Sequence, residues 1–359
     1  MKGPVATPKW ALVLPLAGAA GLIGGLFLEL SVGLAVAFVA VLIGAVIAAV
    51  HHAEVIAERV GEPFGTLVLA LAVTVIEASL IVSLMLTGGP ESADLARNTL
   101  YSAIMIVCNG VVGLCLLIGG MRHGEQEFKI ESSSSSLGVL IALATLTLVL
   151  PVYTTSTPGP TFSVPQLLFA AAASLVLYGM FVFVQTVKHR EYFLAPGPAP
   201  RAEHARPSVA TAATSAGLLL VCLVAVVGLA KLLSPGIEAA VLASGAPEAT
   251  IGIAIACLVL LPEAVAAVRA AHADRLQSSL NLALGSALAS IGLTIPAVVA
   301  VATLLHMPLT LGLGPKDTVL LVLTFIVSTL TFSTGRTTVL QGTVHLVLFA
   351  AFLFLSLVP

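Results

Sequence analysis

Two glutamates sit where water is scarce. Glu77 lies in GTLVLALAVTVIEASLIVSLML and Glu263 in IGIAIACLVLLPEAVAAV, each near the middle of an apolar run long enough to cross a bilayer. A charge at that depth is costly unless it is paired, protonated or turned to a water-lined cavity. Packing gives no reason to keep an ionisable group there, so both acids are candidates for chemistry. A carboxylate can neutralise a cation, and once the cation has left it can hold a proton on the same oxygens.

The neighbouring residues could supply further oxygens. On a helical wheel Thr66, Ala70, Thr74 and Glu77 fall within about 80° of one another on an otherwise aliphatic helix. Asn98, Ser102, Met105, Asn109 and Gly113 make a comparable stripe in the next apolar segment, and Ser279, Ala283, Ser286, Ser290 and Thr294 another in the segment after Glu263. Such stripes beside a buried carboxylate suit a dehydrated hard cation. They also suit plain helix packing through small residues, with hydroxyls bonded to their own backbone. Pro262, directly before Glu263, removes a backbone donor and strains its helix, and Pro296 with Gly285 and Gly292 offers the same in the next one. Glu62 and Glu248 stand near helix starts, where the dipole favours a carboxylate, and are gating or vestibule candidates together with Ser102. His51, His52, Glu54 and Glu58 read as a solvated interfacial patch, His345 as a satisfied polar residue, and Ser132 to Ser136 as a cap and interface segment.

The elements that position these residues follow from composition. With 58% hydrophobic and 9% charged residues in 359, and a mean hydropathy of +1.12, the chain is an all-α polytopic membrane protein. Its net charge of −2 gives no footing for nucleic acid. There is no HExxH, GxSxG, Walker loop or paired acidic motif, so no enzyme signature and no cofactor are expected. The partners are the lipid bilayer and inorganic cations; no protein partner is indicated. Cys108, Cys115, Cys222 and Cys257 all fall in apolar segments and act as small hydrophobes.

Apolar segments fall at about 10–28, 31–50, 65–87, 98–120, 137–153, 164–187, 209–233, 247–268, 279–305, 317–334 and 338–358, which makes about 11 transmembrane helices. If the amino terminus is cytoplasmic, all of the 15 Lys and Arg residues except Arg97, Lys231 and Lys316 fall inside. That asymmetry supports both the count and the retention of the first segment as a span rather than a cleaved signal. The Pro- and Ala-rich stretch 189–208 is a cytoplasmic linker. It follows an extra N-terminal helix (1–30) and a first group of five helices (31–188), and precedes a second five (209–359). An odd number of spans per unit inverts the second unit, the plan of secondary transporters. Gly61-Glu62-Pro63 opens the helix of Glu77 as Gly245-Ala246-Pro247-Glu248 opens that of Glu263, and Asn98 and Asn281 stand near the start of the following helices.

These stretches, GEPFGTLVLALAVTVIEASLI and LLPEAVAAV followed by LNLALGSALASIGLTIP, resemble the two α-repeats (about 61–120 and 245–300) of the calcium/cation antiporter superfamily, and most of all its bacterial calcium(sodium, potassium)/proton antiporter branch. The resemblance implies an inner-membrane exchanger in which Glu77 and Glu263 bind cation and protons alternately. It places the family's polar positions at Asn109 in the first repeat and Ser286 to Ser290 in the second. Val73-Thr74 and Val259-Leu260 stand where many relatives carry Gly-Asn, leaving Thr74 as the oxygen donor there. The expected metal-binding set is therefore Glu77, Glu263, Thr74, Asn109, Ser286 and Ser290, serving Ca2+ and also Na+ or K+. A passive cation channel lined by the same residues is the alternative, and an intramembrane acid/base enzyme a more distant one.

Overall fold

The computed structural model describes residues 8–28, 31–61, 64–194, 207–245, 247 and 249–358. In chain order the elements are α1 (Lys9–Gly25), α2 (Val32–Val60), α3 (Phe64–Gly88), α4 (Leu95–Met105), α5 (Val112–His123), β1 (Gln126–Glu127), α6 (Ile130–Ala144), α7 (Val164–Phe183), α8 (Arg190–Phe193), α9 (Val209–Ser244), α10 (Ala249–His272), α11 (Leu276–Leu304), α12 (Pro315–Phe332), β2 (Arg336–Thr337) and α13 (Val339–Leu357). Among the described residues 8 helices are long and apolar enough to cross a membrane, 9 if the bent α10 is one span, and Lys9–Gly25 and Leu71–Leu86 are shorter apolar helices. Glu62 and Glu248 lie outside the described residues.

The chain forms two compact units, one of Met1–Gly88 with Pro200–Gly245 and one of Gly89–Ala199 with Ala246–Pro359. Each draws on both halves of the sequence.

In the first unit α1, α2 and α9 pack on one another, and α3 packs on α2 and α9. Small residues make the close approach possible: a β-carbon at Gly18 would stand 3.0 Å from that of Ala225, and one at Gly25 only 2.7 Å from Leu232 Cδ1. Pro15 sits inside α1 and has no N–H to give the carbonyl of Ala11, four residues earlier. His52 of α2 supplies the missing donor, its Nε2 lying 2.7 Å from that carbonyl. The histidine is thus wholly buried rather than part of the solvated patch expected from its neighbours, because the proline leaves an acceptor open beside it. His52→Ala is expected to lower stability by about 1–3 kcal/mol, the range for orphaning a buried polar group. Adding Pro15→Ala should recover most of the loss, since an alanine at that position brings its own amide. Thermal unfolding in detergent of the single and double variants checks both.

In the second unit α13 packs on α5, α7 on α11, and α10 on α4, α5 and α11. A two-residue antiparallel ladder pairs Gln126 with Thr337 and Glu127 with Arg336. The helices α7 and α13 open alike, with Ser163 N–H donating to Gln166 Oε1 at 2.8 Å and Thr338 N–H to Gln341 Oε1 at 2.7 Å. The serine run is not a cap. Lys129 holds the cap position of α6, and Ser132, Ser133 and Ser136 are buried within the helix. Ser132 Oγ donates to Asn281 Oδ1 of α11 at 2.7 Å, so the hydroxyls serve a helix contact. All four cysteines are free thiols.

Candidate functional site

Glu77 lies midway along α3, where it is the one ionisable residue among apolar, Gly, Ser and Thr residues. Val73, Thr74, Ile76, Glu77, Leu80, Ile81 and Leu84 are all buried, the spacing of one broad helical face. Glu77 is 1% exposed. Thr74 is on that face, so these two members of the predicted set come together within the first unit. Thr66 and Ala70 extend the stripe in sequence, but their side chains lie outside the described residues.

Glu263 is carried by α10 in the second unit. That helix bends by 54° between Thr250–Leu261 and Glu263–His272. The break falls at position 262, a proline, which has no N–H to give to the helix. Glu263 is the first residue beyond the bend and is 8% exposed. Towards its other end α10 meets α4 closely, since a β-carbon at Gly252 would stand 2.9 Å from Asn98 atoms. Glycine at this point lets the helices touch through backbone.

The span that follows Glu77 is not a uniform α-helix. Between α4 and α5, residues Ile106–Val111 form a π-helical turn. It takes an extra residue into the turn, so the stripe read from Asn98 to Gly113 does not keep one heading. Asn98 faces α10. Asn109 instead meets α12 and α13: its Nδ2 donates to Thr324 Oγ1 at 2.8 Å, and its Oδ1 lies 3.2 Å from His345 Nδ1. Gly113 also faces α13, where a β-carbon would stand 2.9 Å from that of His345. Ser102 donates to the carbonyl of Asn98 in its own helix at 2.6 Å. The adjacent Asn109-Gly110, both weak helix formers inside an apolar run, was the one local sign of the π turn.

In α11 the predicted stripe is largely internal. Ser279, Ala283, Ser290 and Thr294 are buried, whereas Ser286 is partly exposed. The helix runs unbroken through Pro296, with Gly292 set tightly against Tyr178 of α7. The helix packs on both α10 and the π turn, so these serines and Glu263 are carried by neighbouring helices of the second unit. His345, read as a satisfied polar residue, is one: Nε2 lies 3.1 Å from Thr331 Oγ1, and Nδ1 engages Asn109.

Each unit thus holds one buried carboxylate on an apolar helix, Glu77 in the first and Glu263 in the second. Comparisons with known proteins identify the family. The chain is 37% identical to the sodium-potassium/proton antiporter ChaA of Escherichia coli over 305 residues, covering 84% of this chain and 82% of that one. It is 49% identical over 357 residues to y4hA of Sinorhizobium fredii, an ionic-transporter candidate, covering 98% of this chain and 97% of that one. Among solved structures, native YfkE superposes with a TM-score of 0.74 at 18% identity, covering 97% of this chain and 100% of that one. The H+/Ca2+ exchanger CAX does so with 0.71 at 16%, covering 96% and 88%. The profile of the family described as "Sodium/calcium exchanger protein" matches residues 30–187 and 214–358. This chain is therefore a member of the sodium/calcium exchanger family, within the calcium/cation antiporter superfamily, and a multi-pass membrane transporter rather than an enzyme.

Proposed function

We propose that the protein exchanges cytoplasmic cations, Ca2+ and also Na+ or K+, for protons by alternating access, with Glu77 and Glu263 taking up cation and proton in turn. The observation that carries this reading is the burial of both carboxylates in the middle of apolar helices, Glu77 at 1% and Glu263 at 8% exposure. Competition for the same oxygens, with no state that moves empty and charged, is sufficient to couple the two flows. Thr74, Ser286 and Ser290 are assigned as further oxygen donors, and Asn109 as the polar residue of the first repeat. Glu62 and Glu248 are assigned to the vestibules. The similarity to ChaA supports Na+ and K+ as substrates, and the likeness in fold to YfkE and CAX supports the architecture only.

The same reading has 11 helices as an extra N-terminal one plus two inverted groups of five, in an inner membrane with the amino terminus cytoplasmic. The matching S/T-x-x-Q starts of α7 and α13, the last helix of each group, support that repeat.

The test is proton movement in proteoliposomes with a preset pH gradient, followed by a pH-sensitive dye as Ca2+, Na+, K+ or Mg2+ is added. Dissipation that requires particular cations establishes antiport and identifies them. Ion current without obligatory proton movement would replace the exchanger with a channel. Glu263→Gln is expected to lower the cation-dependent rate at least about a hundredfold, equivalent to losing about 2.7 kcal/mol of barrier stabilisation. An unchanged rate in correctly inserted Glu263→Gln protein would remove this residue from the mechanism.

A further inference from the structure

Asn109, expected to lend an oxygen to the cation, has its amide engaged elsewhere. Its Oδ1 accepts from His345 Nδ1 at 3.2 Å, while its Nδ2 donates to Thr324 Oγ1 at 2.8 Å. Thr324 Oγ1 in turn lies 3.5 Å from the sulfur of Met105. With the Asn109 amide in this orientation its oxygen can only accept, so Nδ1 is the donor to it and Nε2 receives the Thr331 hydroxyl, 3.1 Å away. Asn109, Thr324, Thr331 and His345 are all buried. A buried chain in which every member is satisfied fixes geometry, because breaking any bond leaves two groups unpaired where water cannot reach them.

The geometry it fixes is that of the π turn. Asn109 lies inside Ile106–Val111, which packs against α10 and α11 as well as α12 and α13. A π turn holds one residue more than an α-helical turn needs. Its collapse would rotate one side of the span against the other by about 100° and shift it by about 1.5 Å. On one side are Asn98 and Ser102, in the helix that faces α10 at Gly252; on the other is Gly113, seated on α13. Both facings hold together only while the turn stays wide.

We propose that His345 is a positioning residue for exchange. Through Asn109 it keeps the π turn wide and so holds the face that α4 presents to α10, the helix of Glu263. The role rests on the antiport reading, but it concerns neither of the two carboxylates.

Two variants separate the bonds of the ring. His345→Asn places an amide donor where Nδ1 stands and abandons Thr331. His345→Gln reaches towards Thr331 and leaves Asn109 without its donor. Cation-dependent proton movement is measured in proteoliposomes for both variants, the wild type and Glu263→Gln, beside thermal unfolding of each in detergent. In His345→Asn the apparent KM for the cation and kcat should stay within about threefold of the wild type, whereas in His345→Gln KM should rise about tenfold or more with kcat little changed. The two variants should unfold at similar temperatures. Equal behaviour of Asn and Gln, whether both active or both impaired in step with lost stability, overturns the positioning role. A wild type that moves no protons with any cation overturns the antiport reading and this role with it. Active wild type with a normal His345→Gln overturns this role alone.

Discussion

Glu77→Gln should insert and fold as the wild type does and yet show no cation-dependent proton movement, a loss of at least about a hundredfold. Glutamine keeps the volume and one carbonyl oxygen of the glutamate, so the packing of α3 is little disturbed. What it loses is the negative charge and the proton. In a medium of low effective dielectric, one carboxylate at about 4 Å from a cation is worth several kcal/mol more than a neutral amide, so cation binding suffers at once. The proton half of the cycle has no substitute either, because an amide does not titrate. Glu77→Asp keeps the charge but withdraws it by about 1.5 Å, and should retain a measurable rate with a raised KM. The assay is the same dye-reported dissipation of a pH gradient, normalised to protein reconstituted. Glu77→Gln exchanging at the wild-type rate would mean that burial of this acid serves something other than transport.

Gly342→Val should be the most damaging change to folding. A β-carbon at Gly342 would stand 2.5 Å from the backbone nitrogen of Leu117 and 2.9 Å from the carbonyl oxygen of Gly113. Those atoms belong to helix backbone and cannot swing aside as a side chain can. Seating valine there requires α13 to lift off α5, which would also part His345 from Asn109. The expected cost exceeds about 4 kcal/mol, at the far end of single-substitution effects. It should appear as loss of monodisperse protein on size-exclusion chromatography and a steep fall in the unfolding temperature. Gly179→Ala is the contrasting change, because nothing lies within 4 Å of a β-carbon there. It should be neutral or stabilise α7 by up to about 1 kcal/mol. Equal yields for Gly342→Val and Gly179→Ala would show that α13 does not pack as described.

The features visible from sequence were those set by the solvent. Glu77 and Glu263 stood out because hydrocarbon penalises charge regardless of tertiary detail, and both are buried. The bend at Pro262 was legible because a missing N–H acts locally. The π turn left only one local sign, Asn109-Gly110, which does not by itself specify it. Whether a turn closes from i to i+4 or i+5 depends on what packs against it, and here the deciding partners, Thr324 and His345, lie 215 and 236 residues away from Asn109. The same distance in sequence hid the partners of Asn109, although its type and depth were apparent. His52 was misread for the reverse reason. Its neighbours His51, Glu54 and Glu58 are polar, but one helix position turns a side chain by about 100°, enough to carry it from the surface to the interior.

The bond between His52 and Ala11 also sets an order of assembly. The two residues are 41 positions apart, so during synthesis α1 is complete well before its second helix can reach it. Over that interval the carbonyl left open by Pro15 has no donor in its own helix, and lipid tails offer none. The first helix is therefore better satisfied beside α2 than alone. A nascent chain arrested just after α1 should stay at the insertion machinery longer than one arrested after residue 52 has emerged.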